Sequence, residues 1–149
     1  MSNQVCIDAS LAIEWLLPEK RNREGDALRH EWNLSRIELV SSPIFNAEVT
    51  STLRRQVFFK KILPEEGEAA FRLFLEMRVR TVAHPSVTVL AWEMAKKFNL
   101  PRTYDLQYLA VAELIDCPLW TSDKRFVNSL QNKVGRVKWL GDYQGKGLQ

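Results

Sequence analysis

Apolar residues along the chain follow two rhythms, short continuous runs and stripes spaced by three or four, and their alternation predicts strands interleaved with helices. Residues 5–7 form an apolar run leading into Asp8, and Ser10 then fits an N-cap for a helix whose apolar positions are Leu11, Ala12, Trp15 and Leu16. Pro18 ends that helix. A second run over 37–40 leads into Ser42-Pro43, a capping residue followed by a proline suited to the first helical position. From there Phe45, Val49, Leu53 and Val57 recur every four residues as one buried stripe. Pro64-Glu65-Glu66 opens a third helix with negative charge in its first turn, where the helix dipole favours it, and Ala70, Phe71, Phe74, Leu75 and Met77 supply its apolar face.

Residues 79–83 read as a strand. Residues 86–98 read as a helix with Val87, Leu90, Ala91, Met94 and Ala95 inward and Asn99 as a left-handed residue past its end. Thr103 caps a further helix with the stripe Leu106, Leu109, Ala110 and Leu114. A strand over 118–121 runs into Ser122-Asp123, a short helix follows, and 137–140 is the final strand. Repeated β-α units of this kind predict an α/β fold with a central parallel sheet and helices on both faces.

Composition agrees with one ordinary globular domain over residues 1–149. Apolar residues make up 46% and charged residues 26%, enough for a substantial core, and neither low-complexity tract nor Gly/Ser linker divides the chain. The longest mostly apolar stretch, 5–17, is interrupted by Asp8 and Glu14 and falls short of the ~20 residues a membrane-spanning helix needs. The first basic residue, Lys20, comes after that stretch, so no secretory signal is read and a cytoplasmic location is expected. Net charge is +3, compatible with a nucleic-acid partner without demanding one.

Candidate chemistry lies in the carboxylates. In open parallel sheets the ligand site lies outside the carboxyl ends of the strands. Asp8 closes the first predicted strand and Asp123 closes a late one, Asp105 sits in the first turn of the Thr103 helix, and Glu48 borders the buried stripe of its own helix. Four acids from four elements can therefore meet. Such a group repels itself unless a cation compensates, and hard oxygen ligands with neither His30 nor His84 nearby in sequence favour Mg²⁺ or Mn²⁺ over zinc. Singly, Asp105 also reads as a first-turn charge and Asp123 as a helix cap.

At this point the residues resemble the PIN domains, and within them the VapC-like toxins of toxin-antitoxin pairs. VCIDASLAIEWLL over 5–17 resembles the opening strand, acid and first helix of that family, and Glu48 in NAEVTSTLRR resembles its second acid. PRTYDLQYLAVAELIDCPLWTSDKRF, residues 101–126, resembles the paired third and fourth acids, and VKWLGDY the family's ending. The resemblance implies a three-layer α/β/α sandwich and an acidic pocket that binds Mg²⁺ or Mn²⁺ and hydrolyses RNA by metal-activated water. It assigns Asp8, Glu48, Asp105 and Asp123 to the acidic positions and Ser10 and Thr121 to hydroxyls that orient them. It further implies a small antitoxin protein as partner and a homodimer. Leu106 departs from the Ala many relatives carry there, a change of packing rather than chemistry.

Other α/β readings fail on their own residues. A receiver domain needs an acidic pair, a middle-strand Asp and a late Lys that are missing, and a dehalogenase-like phosphatase needs Asp-x-Asp where this chain has Ser10. A non-catalytic RNA- or antitoxin-binding module that keeps the acids for structure, or to clasp arginines, stays open as the alternative. Basic residues suggest where RNA would run: Lys124 and Arg125 directly follow Asp123, and Arg54 and Arg55 open an acid-free stretch through Phe58, Phe59, Lys60 and Lys61. Trp32, Phe58, Phe59 and Phe71 offer apolar material for an interface, while the tryptophans at 15, 32, 92, 120 and 139 read as core or interface.

Cys6 and Cys117 are too few for a disulfide scaffold or a zinc site and read as small core residues. With Asp8 and Asp123 side by side, the two would be offset along their strands by roughly 13 Å. Disulfides need Cα atoms within about 7 Å, so free thiols are expected.

Overall fold

The computed structural model describes residues 3–145, so residues 1–2 and 146–149 of the expected domain lie outside it. Five strands form one sheet: β1 (Gln4–Ile7), β2 (Glu38–Ser41), β3 (Val79–Thr81), β4 (Leu119–Thr121) and β5 (Val137–Trp139), in the order β3-β2-β1-β4-β5 with every neighbouring pair parallel. The helices are α1 (Ala9–Leu16), α2 (Arg23–Leu34), α3 (Phe45–Phe58), α4 (Pro64–Glu76), α5 (Pro85–Lys97), α6 (Tyr104–Ile115) and α7 (Lys124–Ser129).

From β1 the chain moves outward through β2 to β3, then crosses back to β4 and outward the other way to β5. Right-handed crossovers of opposite direction put their helices on opposite faces. Accordingly α1 packs on α2, α3 and α4, whereas α5 packs along α6 beneath β1, β2 and β4. The result is an α/β/α sandwich of parallel strands whose order of addition reverses between β1 and β4. Its middle strands are apolar on both sides: Val5, Cys6, Ile7, Val40 and Leu119 are all buried, as covered parallel strands require.

Several helices start or pack differently from expectation. Asp8, not Ser10, is the N-cap of α1 and accepts from the Leu11 N–H at 3.0 Å. Helix α3 begins at Phe45, because Ser42 and Pro43 are taken up in a turn in which Ser42 Oγ accepts from the Ile44 N–H. Thr103 occupies the N-cap position of α6 but makes no capping bond; its hydroxyl accepts from Gln107 instead. Of the expected apolar face of α4, Ala70 and Phe74 are buried, while Phe71 and Leu75 are exposed. Gly67 lets α4 approach α3, since a Cβ there would fall 2.3 Å from Val57 Cγ2. Asn99 does end α5 with a left-handed φ of 52°.

Helix α2 was not foreseen, because its only buried side chains besides Gly25 are Leu28 and Trp32. Trp32 is core rather than interface: it stacks edge-on against Trp15 and Trp120, and Trp15 donates to the Gly25 carbonyl. Trp92 is exposed on α5.

Candidate active site

The reversal between β1 and β4 opens a crevice at their carboxyl ends, the place where parallel sheets bind ligands. Asp8 follows β1 directly. Register pairs Ile7 with Trp120, so Thr121, the last residue of β4, comes level with Asp8 and Asp123 lies two residues further on. Thr121 Oγ1 donates to Asp8 Oδ2 at 2.5 Å, and Ser10 Oγ donates to Asp8 Oδ1 at 2.7 Å. The same hydroxyls accept from the chain after β4: Ser10 Oγ from the Ser122 N–H at 3.1 Å and Thr121 Oγ1 from the Asp123 N–H at 3.0 Å. Ser10 and Thr121 thus tie the two strand ends together around one carboxylate.

Asp8 is only 5% exposed, and burial pushes its carboxyl up to about 6 despite the hydrogen bonds from Thr121, Leu11 and Ser10; the charge of Asp105 adds to the rise. Asp123 Oδ1 caps α7 through the N–H groups of Arg125 and Phe126. Glu48, in the first turn of α3, accepts from the Tyr108 hydroxyl at 2.5 Å. Tyr108 lies one turn after Asp105 on α6, is buried, and has its hydroxyl pushed well above the usual range by burial and by Glu48.

Asp105, second residue of α6, is open to solvent at the cleft and makes no hydrogen bond within the described residues. The surrounding walls, then Asp123, then Glu48, push its carboxyl upward.

All four acids line one cleft of about 630 Å³, with Ser10, Lys20, Arg55, Gln56, Tyr104 and Tyr108 among its other walls. Among the described residues none of the four pairs with a Lys or Arg within 4.0 Å. The expected tight cluster is an open ring: among the described residues no three Asp, Glu, His or Cys side chains close together as a ready-made metal cage. The donor chemistry nevertheless suits a hard, hydrated divalent cation, which is commonly held by only one or two carboxylates and several waters. Burial is the main reason the carboxyls of Asp8 and Asp105 are raised, and the repulsion that Asp123 and Glu48 add at Asp105 is what such a cation would neutralise.

The expected basic residues divide. Arg55 lines the acidic cleft, but Arg54, one residue earlier and so rotated by about 100° around the helix, lies over the Phe58 ring in a groove between α3 and α4. Arg125 lines a second cleft that shares Glu48, Asp105 and Asp123 with the first, whereas Lys124 turns away and sits 4.4 Å from the Trp139 ring centre. Tyr108 was missed although its spacing from Asp105 puts both on one face of the helix. Lys20 and Arg102 carry no local signal that would place them here.

The PIN domain model matches residues 5–128 of this sequence. The chain belongs to the PIN domain family. Its fold is similar to that of a chain from a toxin-antitoxin complex of Klebsiella pneumoniae, with a TM-score of 0.66 over 95% of this chain and 99% of that one. At 15% identity that likeness speaks to the fold of this PIN domain alone. No curated protein matches the chain.

Proposed function

We propose that this PIN domain is a Mg²⁺- or Mn²⁺-dependent endoribonuclease, the toxin of a two-component pair, acting in the cytoplasm. Family membership supports a nuclease. The observation that carries the reading is Asp105. Asp8 and Asp123 have structural duties as helix caps and Glu48 is held by Tyr108, but Asp105 has no partner among the described residues and is repelled by Asp123 and Glu48, a repulsion that a bound cation would relieve.

Asp8, Asp105, Asp123 and Glu48 would hold the cation. When bound it would supply a hydroxide-like water and charge neutralisation at the scissile phosphate. Ser10 and Thr121 fix the Asp8 carboxylate at the cleft wall, with Oδ1 accepting from Ser10 and Leu11 and Oδ2 from Thr121, which leaves one lone pair of Oδ2 unused. Asp105, which lines the cleft without a hydrogen-bond partner among the described residues, would be the acid free to accept a proton from a water there. Arg55 and Arg125 flank the acids and would neutralise the RNA backbone.

Among the described residues none of the four acids is paired with an arginine, so the acids are not spent on structural ion pairs within the chain. The partner proposals rest on the surface of α3 and α4, where Phe58, Phe59 and Phe71 are exposed together with Leu63, Leu73 and Leu75. That surface suits a small antitoxin and a second copy of the chain. No helix among the described residues is long and apolar enough to cross a membrane.

The test is incubation of the purified protein with mixed structured RNAs. Cleavage with Mg²⁺ or Mn²⁺, abolished by chelator and by Asp105→Asn, is expected. Cleavage that survives excess chelator would overturn the metal dependence, and no cleavage with any divalent ion would overturn the nuclease.

A further inference from the structure

The acidic cleft is joined to a neighbour. The second cleft, about 410 Å³, is walled by Leu100, Pro101, Arg102, Arg125, Phe126 and Ser129, and the two share Glu48, Asp105, Asp123 and Tyr104. Together they make one groove across the acids, with Lys20 and Arg55 on one side and Arg102 and Arg125 on the other. Among the described residues none of these four cations is in an ion pair, which leaves each open to a phosphate.

Tyr104 stands at the junction. It is the first residue of α6, immediately before Asp105, and is 59% exposed. Among the described residues its ring stacks on no other aromatic, takes no cation and has no hydrogen-bonded hydroxyl. Of the other strongly exposed aromatics, Phe58 at the end of α3 and the following Phe59 pack edge-on against each other, and Trp92 lies on α5 away from both clefts. An aromatic face left bare between two cationic walls, and one residue from the unpartnered acid, matches what a splayed nucleic-acid strand needs: backbone charge neutralised on both sides and a flat surface for a base.

We propose that Tyr104 is the stacking platform for the base next to the scissile phosphate, with Lys20 and Arg55 holding the strand on one side of it and Arg102 and Arg125 on the other. The proposal rests on the reading of the cleft as a site for RNA phosphodiesters. It deepens that reading by naming the groups that choose where in the strand the acids act. Stacking also selects an unpaired base, since a base within a duplex has both faces covered.

The test uses the full chain with Asp8→Asn, expected to bind without cutting, and short oligoribonucleotides carrying 2-aminopurine at successive positions. Expected is quenching of the fluorophore at one position, lost with Tyr104→Ala and kept with Tyr104→Phe. Binding should weaken roughly five- to a hundredfold with Tyr104→Ala. Arg102→Ala and Arg55→Ala should each lower the salt dependence of binding by about one phosphate contact without moving the quenched position. If cleavage by the wild type is seen but Tyr104→Ala leaves both quenching and cleavage position unchanged, this proposal fails and the nuclease reading stands. If Tyr104-dependent quenching is seen but the wild type cuts no RNA with any divalent ion, the nuclease reading fails and the stacking site stands.

Discussion

Thr121 on β4 holds Asp8, at the end of β1, through a hydroxyl-to-carboxylate bond of 2.5 Å that crosses the point where the order of strand addition reverses. Thr121 is fully buried and also accepts from the Asp123 N–H, so one hydroxyl orients an acid on each side of the reversal. Replacing it with valine keeps the shape and removes both bonds. Thr121→Val is expected to lose roughly 1.5–3 kcal/mol at pH 7, the range for a hydrogen bond to a charged group. Denaturant unfolding at pH 7 and pH 4.5 checks this. The loss should shrink at the lower pH, where Asp8 is protonated.

Burial raises Asp8 from its ordinary range to about 6, and the sign of its effect on stability follows. The folded state binds the proton more tightly than the unfolded chain does, so Asp8 favours folding below pH ~4 and that contribution is lost as pH rises through about 6. Asp8→Asn removes the titration while its side-chain oxygen can still cap α1, since Asn caps as well as Asp. In chelator, the variant should therefore gain on the wild type by on the order of 3 kcal/mol between pH 4 and pH 7. Parallel urea titrations that show a constant difference across that range would contradict the assignment.

How much of this was legible follows from where the signals are local. Strand ends, the stripe of α3 and the four acids are written in nearest-neighbour pattern, and the architecture followed from their alternation. Helix α2 was invisible because it buries just Gly25, Leu28 and Trp32 beneath an otherwise charged surface. Asp8 was read as a strand-end acid with Ser10 as the cap, and the structure exchanges their duties, because a carboxylate at the strand end is already placed to take the Leu11 N–H. Lys124 and Arg54 were assigned by proximity in sequence, which says nothing of the 100° turn between adjacent helical residues. The groove past Tyr104 joins residues from α1, α3, α6 and α7 and their flanks, and no sequence window contains it.

Cysteine chemistry tests the sheet register. Cys6 pairs with Leu119, which sets Cys117 two residues away along the neighbouring strand rather than the four expected from aligned aspartates, because Asp8 is level with Thr121 instead of Asp123. The two thiols are closer than the sequence suggested, yet both are free and buried, and Cys6 donates to the Tyr108 carbonyl. Burial pushes both thiols up, so they stay protonated and slow to oxidise. Titration in denaturant without reductant should count two thiols, and mild oxidant on the native protein should not change that count.

Tyr108 is expected to act on catalysis chiefly through Glu48, although its hydroxyl also meets the backbone N–H of Ala9 beside Asp8. Tyr108→Phe takes away one donor from a carboxylate that is half-buried and can recruit water, so the stability cost should be about 0.5–1.5 kcal/mol. Cleavage rates for Tyr108→Phe, Glu48→Gln and the double variant form a cycle. The double variant should be little worse than Glu48→Gln alone. Fully additive losses would mean that Tyr108 works independently of Glu48.

Asp105 separates a site built for a cation from a set of structural acids. It makes no hydrogen bond that Asn would lose, and Asp123 and Glu48 repel it, so in chelator Asp105→Asn should melt at the wild-type temperature or above. Asp123→Ala, which removes the cap of α7, should melt lower by an amount equivalent to roughly 0.5–2 kcal/mol. Added Mg²⁺ or Mn²⁺ at a hundred times its dissociation constant should stabilise the wild type by about 2.7 kcal/mol. For a chain of this size that corresponds to a rise of roughly 5–10 °C. The same metal concentration should raise the melting point of Asp105→Asn by less, because one of the carboxylates that would hold the ion is gone. A metal-induced rise that is equal in both proteins would remove Asp105 from the ligand set. A fall of several degrees for Asp105→Asn in chelator would make the acid structural, and the physical case for catalysis at this cleft would go with it.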